Sequence, residues 1–282
     1  MPFLERGINH LASIIKEGYA QWEGSLQIGF FQKIDPRVKV LFLLFFILIV
    51  SLKRDVLPET YICGFVFVLV LFSRLSILKV YRRVLFLGFL FGFLIALPSA
   101  FNVITKGEIV LPLARFSRPY NFWIYHIPAD IGITREGIHG VAMLTVRVIN
   151  SLSLSFLVLH TTPFPEIIRA LKVLKVPDSF LIVITLCYKY IFIFSKTVEE
   201  MHFAKKSRIV RELSNREARE WIMGRIAFLF RKTRLRCEEI FKAMMGRGFS
   251  DSIKFYGSRK MGTADWCAAI LLFFSGILFL FI

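Results

Sequence analysis

The sequence predicts an all-α, polytopic membrane protein with about five transmembrane helices and a cytoplasmic domain of long amphipathic helices before the last span. Three observations carry this. Hydrophobic residues make up 56% of the 282 positions, 31 of them Phe, more apolar surface than a water-soluble domain of this length needs. They come in long uninterrupted runs, so lipid is the solvent they suit. The net charge is +17, and 21 Lys and Arg against 10 Asp and Glu lie between Thr161 and Met261. Lys and Arg gather on the cytoplasmic side of membrane proteins, and that reading accounts for the charge without nucleic acid.

Taken in order, residues 1–34 form an N-terminal amphipathic segment. Leu4, Ile8, Leu11, Ile15 and Trp22 recur at helical spacing, which predicts a helix from Phe3 to Trp22, on the membrane surface or on the rest of the protein. The first thirty residues are mixed and polar, so no cleavable signal peptide is expected. Residues 35–160 hold four spans: Val38–Leu52, Leu57–Phe72, Val84–Ile104 with a kink expected at Pro98, and Ile138–Leu159. An external loop, 105–133, separates the last two. In it Ile109–Leu113 and Phe122–Ile127 read as strands of a hairpin, and Thr134 with Glu136 and Gly137 as a helix start.

Residues 161–262 form the cytoplasmic domain. Thr161-Thr162-Pro163-Phe164-Pro165 breaks the chain, Glu166–Val176 is amphipathic and Pro177 ends it. Two long helices follow, from Asp178 to Leu213 and from Arg216 to Arg247. Phe180–Phe194 is apolar enough to suggest a further crossing, but an extra span would put most of the following basic residues outside. It is read as packed under the bundle and partly in the interface. Residues 263–282 are the last span, with its apolar run from Asp265. Five spans place the N-terminus in the cytoplasm and the C-terminus outside.

Little points to catalysis. No phosphate-binding GxxxxGK[ST] loop, HExxH or GxSxG occurs, Cys63, Cys187, Cys237 and Cys267 form no CxxC pair, and the five His show no ligand spacing. No catalytic residue, metal site or cofactor is expected. The spans are nearly empty of Asp and Glu, unlike those of an ion-coupled carrier. Arg147 is the deep ionisable residue, with Asn150 beside it. Asn, Ser and backbone carbonyls of the bundle are its expected partners, with a functional role as the alternative.

The strongest signal is a motif in two copies. Glu199-Glu200-Met201-His202-Phe203-Ala204-Lys205-Lys206-Ser207-Arg208 aligns with Glu238-Glu239-Ile240-Phe241-Lys242-Ala243-Met244-Met245-Gly246-Arg247. Glu200, Ala204 and Arg208, and likewise Glu239, Ala243 and Arg247, recur at i, i+4 and i+8, one face of a helix. Ser207 and Gly246 leave each arginine uncrowded, and Gly248 is a candidate left-handed stop. Ordinary solvated ion pairs explain one copy; two alike, each near a helix end, suggest two arginine plugs for two similar acidic sockets. The planar guanidinium suits a carboxylate socket. Two sockets mean a dimer, and a dimer facing a membrane protein from the cytoplasm suggests an ATPase pair.

At these residues the sequence resembles the transmembrane T component of energy-coupling factor (ECF) transporters, in particular the cobalt-type CbiQ family. Asp35-Pro36-Arg37-Val38-Lys39 resembles the family's approach to its first span, Arg147 and the Ser-Leu stretch after it the fourth span, and Thr161–Pro177 the first coupling helix. Ser207-Arg208-Ile209 and Gly246-Arg247-Gly248 resemble its paired Ala-Arg-Gly coupling motifs, with the arginines kept and the neighbours changed. The resemblance implies a non-catalytic coupling subunit in the cell membrane. Its implied partners are two ATP-binding cassette ATPase subunits and a CbiM-like substrate-binding S component, with a small accessory membrane subunit possible and lipid around it. Cobalt is the implied cargo, nickel the next choice and a vitamin the third. A stand-alone channel or carrier is the competing reading.

Overall fold

A computed structural model gives the structure and describes residues 29–73, 75–102, 105, 107–115, 120–122, 125–127, 130–208, 214–249 and 261–281. The helix expected over Phe3–Trp22 lies outside the described residues, as do Ile209 and the expected helix end at Leu213. The chain divides into two compact units. Among the described residues, one holds 29–170 with 261–281 and the other holds 171–249.

The first unit is a helical bundle. A short helix, Phe30–Lys33 (α1), leads into Pro36–Leu52 (α2). Asp35 caps α2 by accepting the Arg37 backbone N–H at 2.9 Å, and Pro36 fills the first turn, where no N–H is needed. Val56–Phe72 (α3) follows. Ile77–Leu87 (α4) continues through a π-helical stretch, Gly88–Leu94, to a closing 3-10 turn, Leu97–Ala100. The helix expected as the third span therefore begins at Ile77, seven residues before the expected Val84, and ends at Ala100, short of the expected Ile104. It departs from α geometry twice, in the π stretch and in the closing 3-10 turn that holds Pro98. Close packing accompanies the π stretch: a Cβ on Gly88 would lie 2.7 Å from Ile149 Cγ1, and one on Gly92 3.0 Å from Thr145 Cα.

Between the spans the chain forms two nested antiparallel pairs. Ile109–Arg115 (β1) pairs with Asp130–Thr134 (β4), and Tyr120–Phe122 (β2) pairs with Tyr125–Ile127 (β3). The expected hairpin is thus corrected. The partner of β1 is Asp130–Thr134, and Phe122–Ile127 turns back on itself.

Thr134 then caps Arg135–Thr161 (α5), its hydroxyl accepting the Gly137 N–H at 3.1 Å, as the sequence predicts. Phe164–Ala170 (α6) ends the first pass of this unit, and Thr263–Phe281 (α9) completes it. The core is built from stripes at helical spacing: Val38, Phe42, Phe46 and Ile49; Ile62, Val66 and Val70; Leu154, Leu157 and Val158; and Leu272. Phe46 stacks on Phe65 at 5.6 Å, and Phe45 on Phe273 at 4.4 Å. Outward faces stay apolar: Leu48, Phe86 and Phe274 are each more than 60% exposed. A water-facing surface would not carry such a belt; acyl chains suit it.

The second unit begins with a 3-10 turn, Leu171–Leu174, so the single amphipathic helix expected over Glu166–Val176 is instead α6 followed by this turn. Lys175 takes a left-handed φ of 57°, and Lys172 bridges to Asp178 at 3.0 Å. Asp178–Arg208 (α7) and Asn215–Gly246 (α8) are the two long helices. Ser214 and Glu217 form a reciprocal capping box at the start of α8. By length and composition α5, α7 and α9 are each able to cross a membrane, and α3 is a shorter apolar helix. The protein is an all-α polytopic membrane protein.

Candidate functional site

The two arginine motifs close the two long helices. Arg208 is the last residue of α7 and is exposed, with Glu200, Ala204 and Ser207 exposed behind it. The Ser207 hydroxyl donates to the Phe203 carbonyl at 2.9 Å, which turns it back along the helix and away from Arg208. Beside them the start of α8 supplies an aromatic shelf. Lys205 Nζ stands 4.2 Å from the Trp221 ring centroid and Arg225 Cζ 5.5 Å from it. Burial lowers the Lys205 pKa below the ordinary lysine range. Met201, Ala204, Lys205, Arg208, Glu217, Trp221 and Arg225 line one shallow cleft.

Arg247 sits one residue past α8. Its own N–H bonds the Met244 carbonyl at 3.1 Å, the Gly248 N–H bonds Met245 at 3.0 Å, and the Phe249 N–H bonds Met244 at 3.1 Å. With Gly248 at φ 76°, this is a Schellman closure, and the glycine is the left-handed stop the sequence predicts. Glu239, Ala243, Gly246, Arg247 and Gly248 are all exposed. Neither Arg208 nor Arg247 forms an ion pair with another described residue, whereas Arg216–Glu220 and Arg234–Glu238 pair along α8 at 3.2 and 3.5 Å.

The spacing of the two arginines follows from helix geometry. Arg208 shares its cleft with Trp221 near one end of α8, and Arg247 closes the other end. The 26 positions from Trp221 to Arg247 rise about 39 Å along a helix. The two guanidinium groups therefore stand well apart, each at an exposed helix end.

Inside the bundle the structure adds groups that the sequence reading passed over. Arg147 finds a backbone carbonyl, as expected, but its side-chain partner is Glu59 and not Asn or Ser. Its Nε donates to Glu59 Oε1 at 3.0 Å and its Nη2 to the Lys53 carbonyl, the C-cap of α2. Asn150 Nδ2 donates to the Glu59 carbonyl at 2.9 Å, and the Glu59 side chain is wholly buried. The pair binds α5 to α3 and satisfies the end of α2. Glu59 sits one turn into its helix, close to the charged group Lys53-Arg54-Asp55, which hid it as a flank.

Lys39 is the second such group and is 1% exposed. Its Nζ donates to the Thr161 carbonyl at 3.1 Å and the Gln32 carbonyl at 3.4 Å. Asp35, Asp265 and Glu166 are the carboxylates around it. Asp265 Oδ1 accepts the Asp35 N–H at 3.1 Å, and Asp265 Oδ2 the Gly262 N–H at 3.0 Å. Nothing in the sequence pairs Asp265 with Asp35, 230 positions apart.

Among the described residues, no three His, Cys, Asp or Glu stand together as a metal site, and all four cysteines are free. Comparison with known proteins then decides the family: residues 30–256 match the cobalt transport protein family, CbiQ. The chain belongs to it. Two uncharacterized proteins of Methanocaldococcus jannaschii are also similar. One is 28% identical over 269 residues, covering 95% of this chain and 87% of the relative. The other is 26% identical over 222 residues, covering 78% and 77%. As a CbiQ-family protein, the chain is a membrane component of a transport system that works with other subunits.

Proposed function

We propose that this chain is the T subunit of an ATP-driven, ECF-type cobalt importer. On this reading the second unit is cytoplasmic, Arg208 and Arg247 each enter an acidic socket on one of two ATPase subunits, and α7 and α8 pass the motion to a substrate-binding membrane partner. ATP is hydrolysed by the partners, and the protein sits in the cell membrane with its N-terminus inside.

The observation that carries the reading is the pair of like motifs, each ending in an exposed arginine without an ion pair among the described residues, one beside Trp221 near the start of α8 and the other at its far end, about 39 Å of helix rise from Trp221. An exposed arginine serving only its own helix would be expected to pair with a Glu one turn away, as Arg216 and Arg234 do.

Topology supports the same side for both. Thr161 and Gly262, where the chain leaves and rejoins the bundle, are fastened to one turn of α2. They share one end of the bundle. If α7 crossed the membrane, the chain would have to cross back between residues 209 and 262. Among the described residues only α8 is long enough, and it carries eight Lys and Arg and four Glu. Parity therefore favours keeping α7 out of the core, although its length and composition would allow a crossing.

The test is co-purification. The chain from its native membrane should carry an ATPase pair and a small multi-span protein, and the Arg208→Ala/Arg247→Ala variant should lose the ATPases. An intact complex with unchanged transport in that variant would remove the role given to the arginines. Co²⁺ uptake into liposomes by the chain alone, without ATP, would establish a stand-alone carrier instead.

A further inference from the structure

Both ends of the cytoplasmic segment are clasped to a single turn of α2. At one end Lys39 Nζ holds the Thr161 carbonyl, the last of α5, at 3.1 Å. At the other, Asp265 Oδ1 takes the Asp35 N–H at 3.1 Å while Oδ2 takes the Gly262 N–H at 3.0 Å. Asp35 and Lys39 are adjacent on the helix, the Lys39 N–H bonding the Asp35 carbonyl at 3.3 Å. The ammonium thus sits among Asp35, Asp265 and Glu166, the last of these on α6. It also meets the Gln32 carbonyl at 3.4 Å and the Phe31 ring, 5.9 Å away.

A buried charge is costly unless it is paired and bonded. A sequence that only needed to join two helices here would place Leu or Met at this position. The arrangement around Lys39 is more specific. One cation bonds the last carbonyl of α5 and lies in the field of carboxylates on α6, on α9 and at the cap of α2. If the two junctions were free, displacement of α7 and α8 would be absorbed at the mouth of the bundle. Held to one turn, they move the bundle helices as a unit.

We propose that Lys39 is a positioning residue for coupling. It clasps the exit and the return of the cytoplasmic segment to the first turn of α2, so that motion of the long helices reaches the membrane bundle. This rests on the proposed T-subunit role. The two fail separately: absence of an ATPase partner overturns the role, whereas the clasp is judged within an assembled complex.

The experiment uses the whole complex reconstituted in vesicles, with Lys39→Met, which keeps the length and removes the charge. Assembly and ATP hydrolysis should persist, while Co²⁺ taken up per ATP hydrolysed falls about ten-fold. Lys39→Arg, which can still donate to the Thr161 carbonyl, should recover part of that ratio. A spin label on native Cys267 and one on Arg169→Cys, with the other cysteines replaced by Ser, give a readout independent of transport. Their distance distribution should be narrow in the parent and broad in Lys39→Met. Should Lys39→Met fail to fold, Asp265→Asn removes one acceptor of the same clasp and is expected to give the same loss. An unchanged uptake-to-hydrolysis ratio overturns the proposal, and so does a parallel fall in both rates with the label distance unchanged.

Discussion

Lys39 and Arg147 stand inside the helical bundle, Lys39 bonded to the Thr161 and Gln32 carbonyls and Arg147 to the Glu59 carboxylate and the Lys53 carbonyl. Arg208 and Arg247 stand at exposed ends of the two long helices and form no ion pair with a described residue. The same chemistry therefore has two uses. In a lipid-facing bundle a cation is tolerated only when its partners come from the same chain. At a helix end in water it can remain free, because solvation costs nothing and the last turn of the dipole favours it. A free cation of this kind is available to a partner, and a satisfied one is not.

The contrast can be broken most sharply at the exposed pair. Truncating an arginine buried in an interface costs about 2–5 kcal/mol of association. Arg208 and Arg247 are far enough apart to add. Arg208→Ala and Arg247→Ala should each weaken binding of the ATPases, and the double variant should abolish it in a pull-down. The isolated chain should melt within about 0.5 kcal/mol of the parent, since neither residue supports its own fold.

Arg147 should behave in the opposite way. Arg147→Ala leaves the wholly buried Glu59 carboxylate without its cation, a loss of about 3–5 kcal/mol. The melting temperature of the detergent-solubilised chain should drop accordingly. Adding Glu59→Gln, which removes the stranded charge, should recover much of the loss. If the double variant is no more stable than Arg147→Ala alone, Glu59 is not the partner that matters.

A smaller effect is expected where α4 and α5 approach each other. Gly92 faces the Thr145 backbone closely enough that a Cβ there would stand 3.0 Å from Thr145 Cα. Backbone cannot yield as a side-chain tip can, so Gly92→Val should cost about 1–3 kcal/mol by thermal melt. Gly64, with open space around it, is the control position for the same substitution.

How much of this was legible in the sequence divides along the same line. Apolar runs located the helices Pro36–Leu52, Val56–Phe72, Arg135–Thr161 and Thr263–Phe281 to within three residues, while the helix between the second and third of these begins at Ile77, seven residues before the expected Val84. Thr134, Gly248 and the Arg208 and Arg247 repeats were visible because caps and helix faces are local in sequence. The partners inside the bundle were not. Glu59 with Arg147 and Asp35 with Asp265 meet across 88 and 230 positions, and a single sequence carries no sign of which helices touch. The β1 partner was missed for a related reason: pairing depends on which strand returns, and the loop offered several short apolar runs. The π stretch escaped because Pro98 was the more obvious breaker, while Gly88 and Gly92 act through packing against α5.

The smallest expected effect tests whether the closure of α8 matters to the arginine it presents. Two glycines flank Arg247, and they should respond with opposite signs. Gly246 is the last helical residue and an added Cβ meets nothing within 4 Å, so Gly246→Ala should stabilise the helix end by about 0.5–1 kcal/mol. Gly248 has equally open space, but its φ of 76° is a conformation that an L side chain resists. Gly248→Ala should cost about 1 kcal/mol there, and Gly248→Asn less, since Asn tolerates the left-handed region. Hydrogen exchange at the Phe249 amide, bonded to the Met244 carbonyl at 3.1 Å, reads the closure directly. Faster exchange in Gly248→Ala together with weaker ATPase binding would tie the presentation of Arg247 to its cap. Faster exchange with unchanged binding would mean that the socket itself orders the arginine.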